Sequence, residues 1–288
     1  MKIAIASGKG GTGKTMVATS LAASLTPNHS IKFLDCDVEA PNAHLFLKPE
    51  FLHTSPAVIY IPSIISELCD ACGVCVQVCQ YHALAMITNQ VLVFPQLCHG
   101  CGSCTQNCPS QAIIEEEKII GGLYQGNTPL GIKHYMGMLT VSEPMPTPII
   151  HQLKRLPDEQ AEITILDSPP GASCAVVATI YDADYVLLVT ESTPFGLHDL
   201  KQMLGILEQT GTPGGIIINR DGIGDNRVED FINQTNYPIL MKIPYQNEIA
   251  AGLASGRILI EIYPAFQALF TQLYQQIMAQ ISSHQGEI

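Results

Sequence analysis

Eight of the ten cysteines fall in one short stretch, as two copies of a single spacing. The first copy is Cys69-x2-Cys72-x2-Cys75-x3-Cys79. The second is Cys98-x2-Cys101-x2-Cys104-x3-Cys108, with Pro109 directly after it. Such a doubled run is the ligand pattern for two iron–sulfur clusters, in which three thiolates come from one tight loop and the fourth from the other run. The spacing therefore predicts one 4Fe–4S cluster on Cys69, Cys72, Cys75 and Cys108, and a second on Cys98, Cys101, Cys104 and Cys79. Gly73, Gly100 and Gly102 let the backbone close round the inorganic sulfides. Gln80 stands where a proline usually follows the fourth cysteine, which alters loop stiffness rather than ligation. A structural zinc pair would use two CxxC pairs and leave half of these thiols idle. Disulfides are disfavoured, because the chain opens on a strand at residue 2 and shows no secretory signal.

The N-terminus carries a second constraint. Ile3-Ala4-Ile5-Ala6 reads as a short buried strand. It runs into Gly8-Lys9-Gly10-Gly11-Thr12-Gly13-Lys14-Thr15, and an apolar helical pattern begins at Met16. This is G-x4-G-K-T with a strand before it and a helix after it, the context the phosphate loop requires. The glycines turn backbone N–H groups toward the β- and γ-phosphates, and the helix N-terminus adds the positive end of its dipole. Lys14 supplies a point charge to the phosphates, and the Thr15 hydroxyl is placed for Mg²⁺. The cofactors expected from these two motifs are ATP, Mg²⁺ and two 4Fe–4S clusters.

With 288 residues the chain suits one α/β domain carrying an insertion. Its 26 acidic and 14 basic residues leave a formal charge of −12, which disfavours a nucleic-acid partner. No apolar run approaches the length that spans a bilayer. A reducing cytoplasm is the expected location, and it suits oxygen-sensitive clusters. Cys36 and Cys174, outside the doubled run, read as small buried residues before ligands, but both lie beside nucleotide-site motifs, which leaves a redox or metal role open.

Apolar strand-like runs recur at Ile31–Leu34, Ile163–Leu166, Tyr185–Thr190, Gly215–Ile218 and Ile239–Ile243. Helical patterns fall near 14–26, 145–156, 196–210, 226–235 and 264–282. The alternation predicts a P-loop NTPase fold, a parallel sheet with helices on both faces, and its ligand site belongs at the strand C-terminal ends. The cysteine region interrupts this rhythm as an internal repeat, giving an ATPase domain over 1–61 and 119–288 and an inserted domain over 62–118. Gly121–Val141 reads as a hairpin or connector back into the main domain.

Two acidic strand ends complete the nucleotide constellation. Leu34-Asp35-Cys36-Asp37 offers Asp37 to position the attacking water and to approach Mg²⁺, with Asp35 in support. Leu166-Asp167-Ser168-Pro169-Pro170-Gly171 matches a Walker B strand end, with Asp167 near Mg²⁺, followed by a switch loop. Asn219-Arg220 is a candidate adenine contact.

Together these residues resemble a known class. The early lysine of Lys9-Gly10-Gly11-Thr12-Gly13-Lys14-Thr15 is similar to the deviant Walker A motif of the MinD/ParA/Mrp class of P-loop ATPases. Further marks are Asp35-Cys36-Asp37-Val38-Glu39-Ala40-Pro41-Asn42, Asp167-Ser168-Pro169-Pro170-Gly171 and Thr190-Glu191-Ser192-Thr193-Pro194-Phe195-Gly196. A subgroup of that class carries an inserted bacterial-type two-cluster ferredoxin. The resemblance implies a nucleotide-sandwich dimer, as a homodimer or as a heterodimer with a paralogous ATPase, in which Lys9 reaches the partner's ATP. It also implies switch loops that report nucleotide state to the clusters, and a protein that accepts electrons or a metal cluster. Membrane positioning is disfavoured, since no Lys or Arg follows Arg257 and the pattern Phe266, Leu269, Phe270, Leu273, Ile277 reads as a core helix.

The leading expectation is thus a low-turnover, Mg-dependent ATPase that couples its cycle to electron transfer or metal-cluster assembly. An iron–sulfur carrier or scaffold that uses ATP as a docking switch is the alternative, and full eight-cysteine spacing favours permanent clusters over transferable ones. A plain electron-transfer module with a vestigial ATPase is weakened by the presence of Lys14, Thr15, Asp37 and Asp167.

Overall fold

A computed structural model describes residues 1–157 and 161–285. β1 (Lys2–Ala6) feeds the glycine-rich loop and α1 (Lys14–Leu25). Then come β2 (Ile31–Asp35), the single turn α2 (His44–Leu47), β3 (Glu50–Ile64), α3 (Val74–Val78), β4 (Leu84–Ile87), β5 (Gln90–Val93), α4 (Ser103–Gln106), β6 (Ile113–Asn127) and β7 (Lys133–Leu139). The chain returns through α5 (Thr147–Arg155), β8 (Ile163–Asp167), α6 (Cys174–Ile180), β9 (Tyr185–Glu191), α7 (Pro194–Thr210), β10 (Gly214–Asp221), α8 (Arg227–Ile232) and β11 (Ile239–Pro244). It ends in α9 (Asn247–Ala254), α10 (Leu259–Ile262) and α11 (Phe266–Gln285).

Nine strands form one sheet in the order β11-β10-β9-β1-β8-β2-β7-β6-β3. Every neighbouring pair from β11 to β7 is parallel, while β6 runs antiparallel to both β7 and β3. The expected α/β P-loop NTPase sheet is therefore mostly parallel, with an antiparallel edge. β1 is buried on both faces, as a strand covered by helices must be. Its Ile3 and Ile5 pack in a core with residues of α1 and α11, and its Ala4 and Ala6 pack in a second core with residues of α5, α6 and α7. In α11, Phe266, Phe270, Leu273 and Ile277 are buried, as the helical pattern predicts, but Leu269 is exposed. Among the described residues no helix is long and apolar enough to cross a membrane.

The edge of the sheet departs from the sequence-based expectation. β3 and β6 pair from Glu50↔Asn127 to Ile64↔Ile113, whereas β7 covers only Gly121–Asn127 of β6. The rest of the ribbon runs on past β7 as a two-stranded arm, and residues 65–112 sit at its end. The boundaries read from the sequence, near 62 and 118, lie within β3 and β6. β3 hides from a period-2 reading because Pro56 and Pro62 interrupt it, and both are tolerated because β3 is the edge strand.

Residues 65–112 repeat themselves geometrically. Ala71 and Gly100 share a left-handed backbone (φ 57° and 65°), as do Gly73 and Gly102 (78° and 72°) and His82 and Gln111 (52° and 50°). Ile65 N donates to Ala112 O and Phe94 N to Ala83 O, both at 2.8 Å. Each half is one cysteine loop followed by one short helix, and the β4–β5 pair lies between the two halves.

Candidate functional site

β1, at the centre of the sheet, is flanked by β8 and β9, so its C-terminal end opens at the point where the strand order reverses, the usual binding crevice of such folds. The glycine-rich loop there is strapped from three sides. Asn219 Nδ2 donates to Thr12 O at 2.7 Å, and Arg220 Nη2 donates to Gly11 O at 3.2 Å. Ser7 O accepts from Gly171 N at 3.0 Å, which ties in the loop after β8. Gly13 sits at φ 92°, and a Cβ there would lie 2.3 Å from Asn219 Nδ2, so this close strap requires glycine. The resulting cavity has a volume of about 520 Å³, within the usual range for small-molecule sites.

Sequence-predicted residues converge on this cavity. Lys9, Gly10, Gly11, Thr12, Gly13, Lys14, Thr15, Asp37, Asn219 and Arg220 line it. Gly8 packs instead against α7, where a Cβ would meet Asp199 Cβ at 2.5 Å. Asp167 is fully buried beneath the loop, with Oδ1 3.2 Å from Lys14 Nζ. Its Oδ2 and the Thr12 hydroxyl are buried without a protein partner. Asp35 accepts backbone N–H bonds from Asp37, Asn42 and Ala43 at 3.2, 3.0 and 3.0 Å, and so shapes the loop that presents Asp37.

One lysine faces three carboxylates here. Burial, and then the charge of Asp167, push the Asp35 carboxyl up to about 8. Burial likewise lifts Asp37 to about 6, against the opposing pull of Lys14. Raised carboxylates beside an orphaned buried oxygen are the donor set of a hard divalent cation, which is bound through oxygen ligands. The residues present therefore fit Mg²⁺. Sequence reasoning gave no role to Glu191, whose carboxylate sits 3.6 Å from Lys9 Nζ and 3.2 Å from Arg220 Nη1. Its position at the C-terminal end of β9 was the available signal. Lys9 thus rests against its own chain. Phe46, Tyr245, Ile249 and Leu253, also without a role in the sequence reading, form the apolar end of the cavity.

The loop after Asp37 is bonded directly to the strand beside the arm. Leu139 N, at the end of β7, donates to Val38 O at 2.8 Å, and Thr140 N donates to Ile120 O of β6 at 2.9 Å. An ion pair of 2.8 Å between Lys118 of β6 and Glu143 braces the same corner. Gln152 of α5 grips β3 at Val58, accepting from its N and donating to its O.

The eight cysteines sort into two groups. Cys69, Cys72, Cys75 and Cys108 line one small cavity, and Cys79, Cys98, Cys101 and Cys104 line another. Ala83 N points at Cys79 Sγ (3.2 Å) and Ala112 N at Cys108 Sγ (3.3 Å), equivalent contacts in the two halves. Burial pushes the thiols of Cys75, Cys98 and Cys104 above the usual range. Among the described residues no group of three or more His, Cys, Asp or Glu is arranged to hold a single metal ion; the thiols surround cavities instead of meeting at a point. Cys36 is buried as expected, but Cys174 is exposed at the start of α6.

The sequence profile of the CobQ/CobB/MinD/ParA nucleotide-binding domain matches residues 3–260. The chain is 32% identical over 281 residues to uncharacterized protein MJ0578 of Methanocaldococcus jannaschii, covering 96% of each protein. It is 30% identical over 258 residues to MJ0579 of the same organism, covering 89% of this chain and 90% of the relative. Among solved structures, the septum site-determining protein MinD of Pyrococcus horikoshii, complexed with Mg-ADP, aligns with a TM-score of 0.58 at 18% identity, covering 96% and 95% of the two chains. A ParA family ATPase from Chlorobium tepidum aligns with a TM-score of 0.56 at 14% identity, covering 96% and 97%. These structural likenesses carry the fold alone.

Proposed function

The chain belongs to the CobQ/CobB/MinD/ParA nucleotide-binding family, and on that premise we propose that it hydrolyses Mg–ATP and couples the nucleotide cycle to two 4Fe–4S clusters held in an inserted ferredoxin-like domain. The observation that carries this reading is the sorting of eight thiols into two fours. Each four combines three cysteines of one run with the last cysteine of the other, the division that the spacing alone requires. A cubane keeps an inorganic core between its ligands, so thiols set round a cavity suit it better than a mononuclear ion. The peptide N–H groups aimed at Cys79 and Cys108 are of the kind that tune cluster potentials.

In this account Lys14 leaves Asp167 for the phosphates when nucleotide enters, while Thr15, Asp37 and Asp167 would hold the cation. Mg²⁺, when bound there, would supply positive charge to offset the charge that develops on the phosphates. Asp37 orients the attacking water. Lys9 exchanges Glu191 for the nucleotide of a partner subunit, which is a second copy or a paralogue. Two relatives of this chain in one organism are compatible with either pairing. Clusters held by the two cysteine fours would supply one-electron chemistry for exchange with a protein acceptor. Movement of the loop after Asp37 passes through Val38 and Leu139 into β7, then into β6 and the arm that bears the cysteines.

Anaerobic purification or reconstitution, followed by metal and sulfide analysis, tests the premise. About eight irons and eight sulfides per chain are expected. Zinc, or about four irons, rejects it.

A further inference from the structure

The cysteine unit carries an apolar face that the nucleotide machinery does not use. In the β4–β5 hairpin, Leu84, Val91 and Val93 pack inward with Cys75 and Cys104. The register Ala85↔Leu92 and Ile87↔Gln90 puts the intervening residues on the outer face. There Ile87, Leu92 and Phe94 are 55%, 40% and 41% exposed, and Leu97 in the following turn is 50% exposed. No charged residue occurs between Asp70 and Glu115, so this face is wholly neutral.

Its surroundings are charged with one sign. Across residues 51–117 the chain contains Glu67, Asp70, Glu115, Glu116 and Glu117 and not a single Lys or Arg, and the next lysine, Lys118, is paired with Glu143. A second copy would bring the same carboxylates to the interface, and like charges brought together there are costly. The complementary occupant has an apolar centre and a basic rim, the usual anatomy of a specific interface with its charges at the edge. The hairpin also lies against both cysteine groups, since Val91 lines the cavity of Cys69, Cys72, Cys75 and Cys108, and Leu84 lines the other. A protein seated on its outer face is one strand layer from either group.

We propose that the outer face of β4–β5, centred on Leu92 and Phe94, is the docking surface for a basic redox protein that exchanges electrons with this chain. The inference rests on the two-cluster reading given above. In each transfer one reduced cluster loses one electron and one oxidised acceptor centre gains it, with the cluster first reduced by dithionite.

The probe is ferric cytochrome c, a small basic haem protein, mixed in a stopped-flow instrument with dithionite-reduced, desalted holoprotein. The second-order rate is expected to fall about tenfold or more from low to high ionic strength, as steered association does. The Leu92→Ser/Phe94→Ser variant is expected to transfer electrons about fivefold or more slowly, because a central apolar anchor is lost. Its iron content, EPR spectrum and rate with the small acceptor ferricyanide should stay at wild-type values. Glu67→Lys/Glu116→Lys should flatten the salt dependence. Unchanged cytochrome c rates in the Leu92/Phe94 variant with full iron overturn the docking face. A salt-independent wild-type rate overturns the basic partner. Iron well below eight per chain overturns the two-cluster reading, and this inference falls with it.

Discussion

Gly137→Ala probes the connection between the nucleotide loop and the arm. Gly137 lies in β7 at a backbone conformation open to alanine, but a Cβ there would stand 2.7 Å from both Val38 Cγ1 and Ile149 Cγ2. Val38 and Ile149 are almost fully buried, so the methyl has no void to occupy. Overpacking of this kind costs about 1–3 kcal/mol. At roughly 2–4 °C per kcal/mol for a chain of this class, the melting temperature should fall by about 2–12 °C. Ile149 is held in α5, whereas Val38 sits on a loop fixed to β7 by its bond from Leu139 N, so Val38 yields. That movement strains a hydrogen bond worth about 1 kcal/mol and levers the loop off β7. Asp37 keeps its own anchorage through Asp35, so ATP affinity should change little. Thermal melts, calorimetric ATP binding and EPR of the reduced clusters with and without Mg–ATP form the assay. The account expects a lower melting temperature, near-normal ATP affinity and a loss of at least half of the ATP-induced EPR change. A destabilised variant that keeps the full ATP response refutes the route through Val38 and Leu139. An unchanged melting temperature refutes the packing argument.

Other consequences follow from the nucleotide site. Lys14→Ala should weaken ATP binding itself, whereas Lys9→Ala should leave ATP affinity largely intact while reducing hydrolysis and ATP-dependent dimerisation. Equal loss of affinity in both variants excludes a role for Lys9 across the dimer. Asp35 and Asp37, raised by burial to about 8 and about 6, hold protons in the folded apo state that the unfolded chain releases near pH 4. Their contribution to apo stability therefore falls as pH rises from about 4 to 8, and Asp35→Asn should flatten that slope in chemical denaturation. Cation binding displaces these protons, so Mg–nucleotide affinity should rise between pH 5 and 7 by at most about tenfold per unit per proton released. Affinity that is flat across this window contradicts the assignment of Asp37.

Where residue type and spacing carry the chemistry, the sequence was readable. A phosphate loop must be glycine-rich between a strand and a helix, so the loop was legible without coordinates, and the doubled spacing divides the eight thiols into the same two fours that line the two small cavities. Strands buried on both faces, such as Tyr185–Glu191, were equally plain. The arm was not. Pro56 and Pro62 break the pattern of β3, and the Glu115-Glu116-Glu117 run reads as a boundary although it lies within β6, near its start. α6 and α9 escaped because they are short and set by tertiary packing rather than by a periodic face. Asp35 was legible as a support for Asp37, but its three backbone acceptor bonds depend on how the loop folds back. The bond from Leu139 to Val38 joins positions far apart in the chain, and no local propensity encodes it. Lys9 was read by its role in a dimer, and only the coordinates reveal its resting place beside Glu191.

The central claim is that nucleotide state is felt at the cysteines. The most direct measurement is redox titration of the holoprotein, followed by EPR, in nucleotide-free, Mg–ADP and Mg–ATP forms, with and without an electron-accepting partner. A coupling of about 1–3 kcal/mol is typical of linked sites and corresponds to about 40–130 mV for a one-electron couple. The account predicts a shift of that order in at least one cluster with Mg–ATP, a smaller one with Mg–ADP, and a matching change in ATP affinity on reduction. Identical potentials and spectra in all three forms, with the partner present as well as absent, would contradict it and leave two independent modules on one chain.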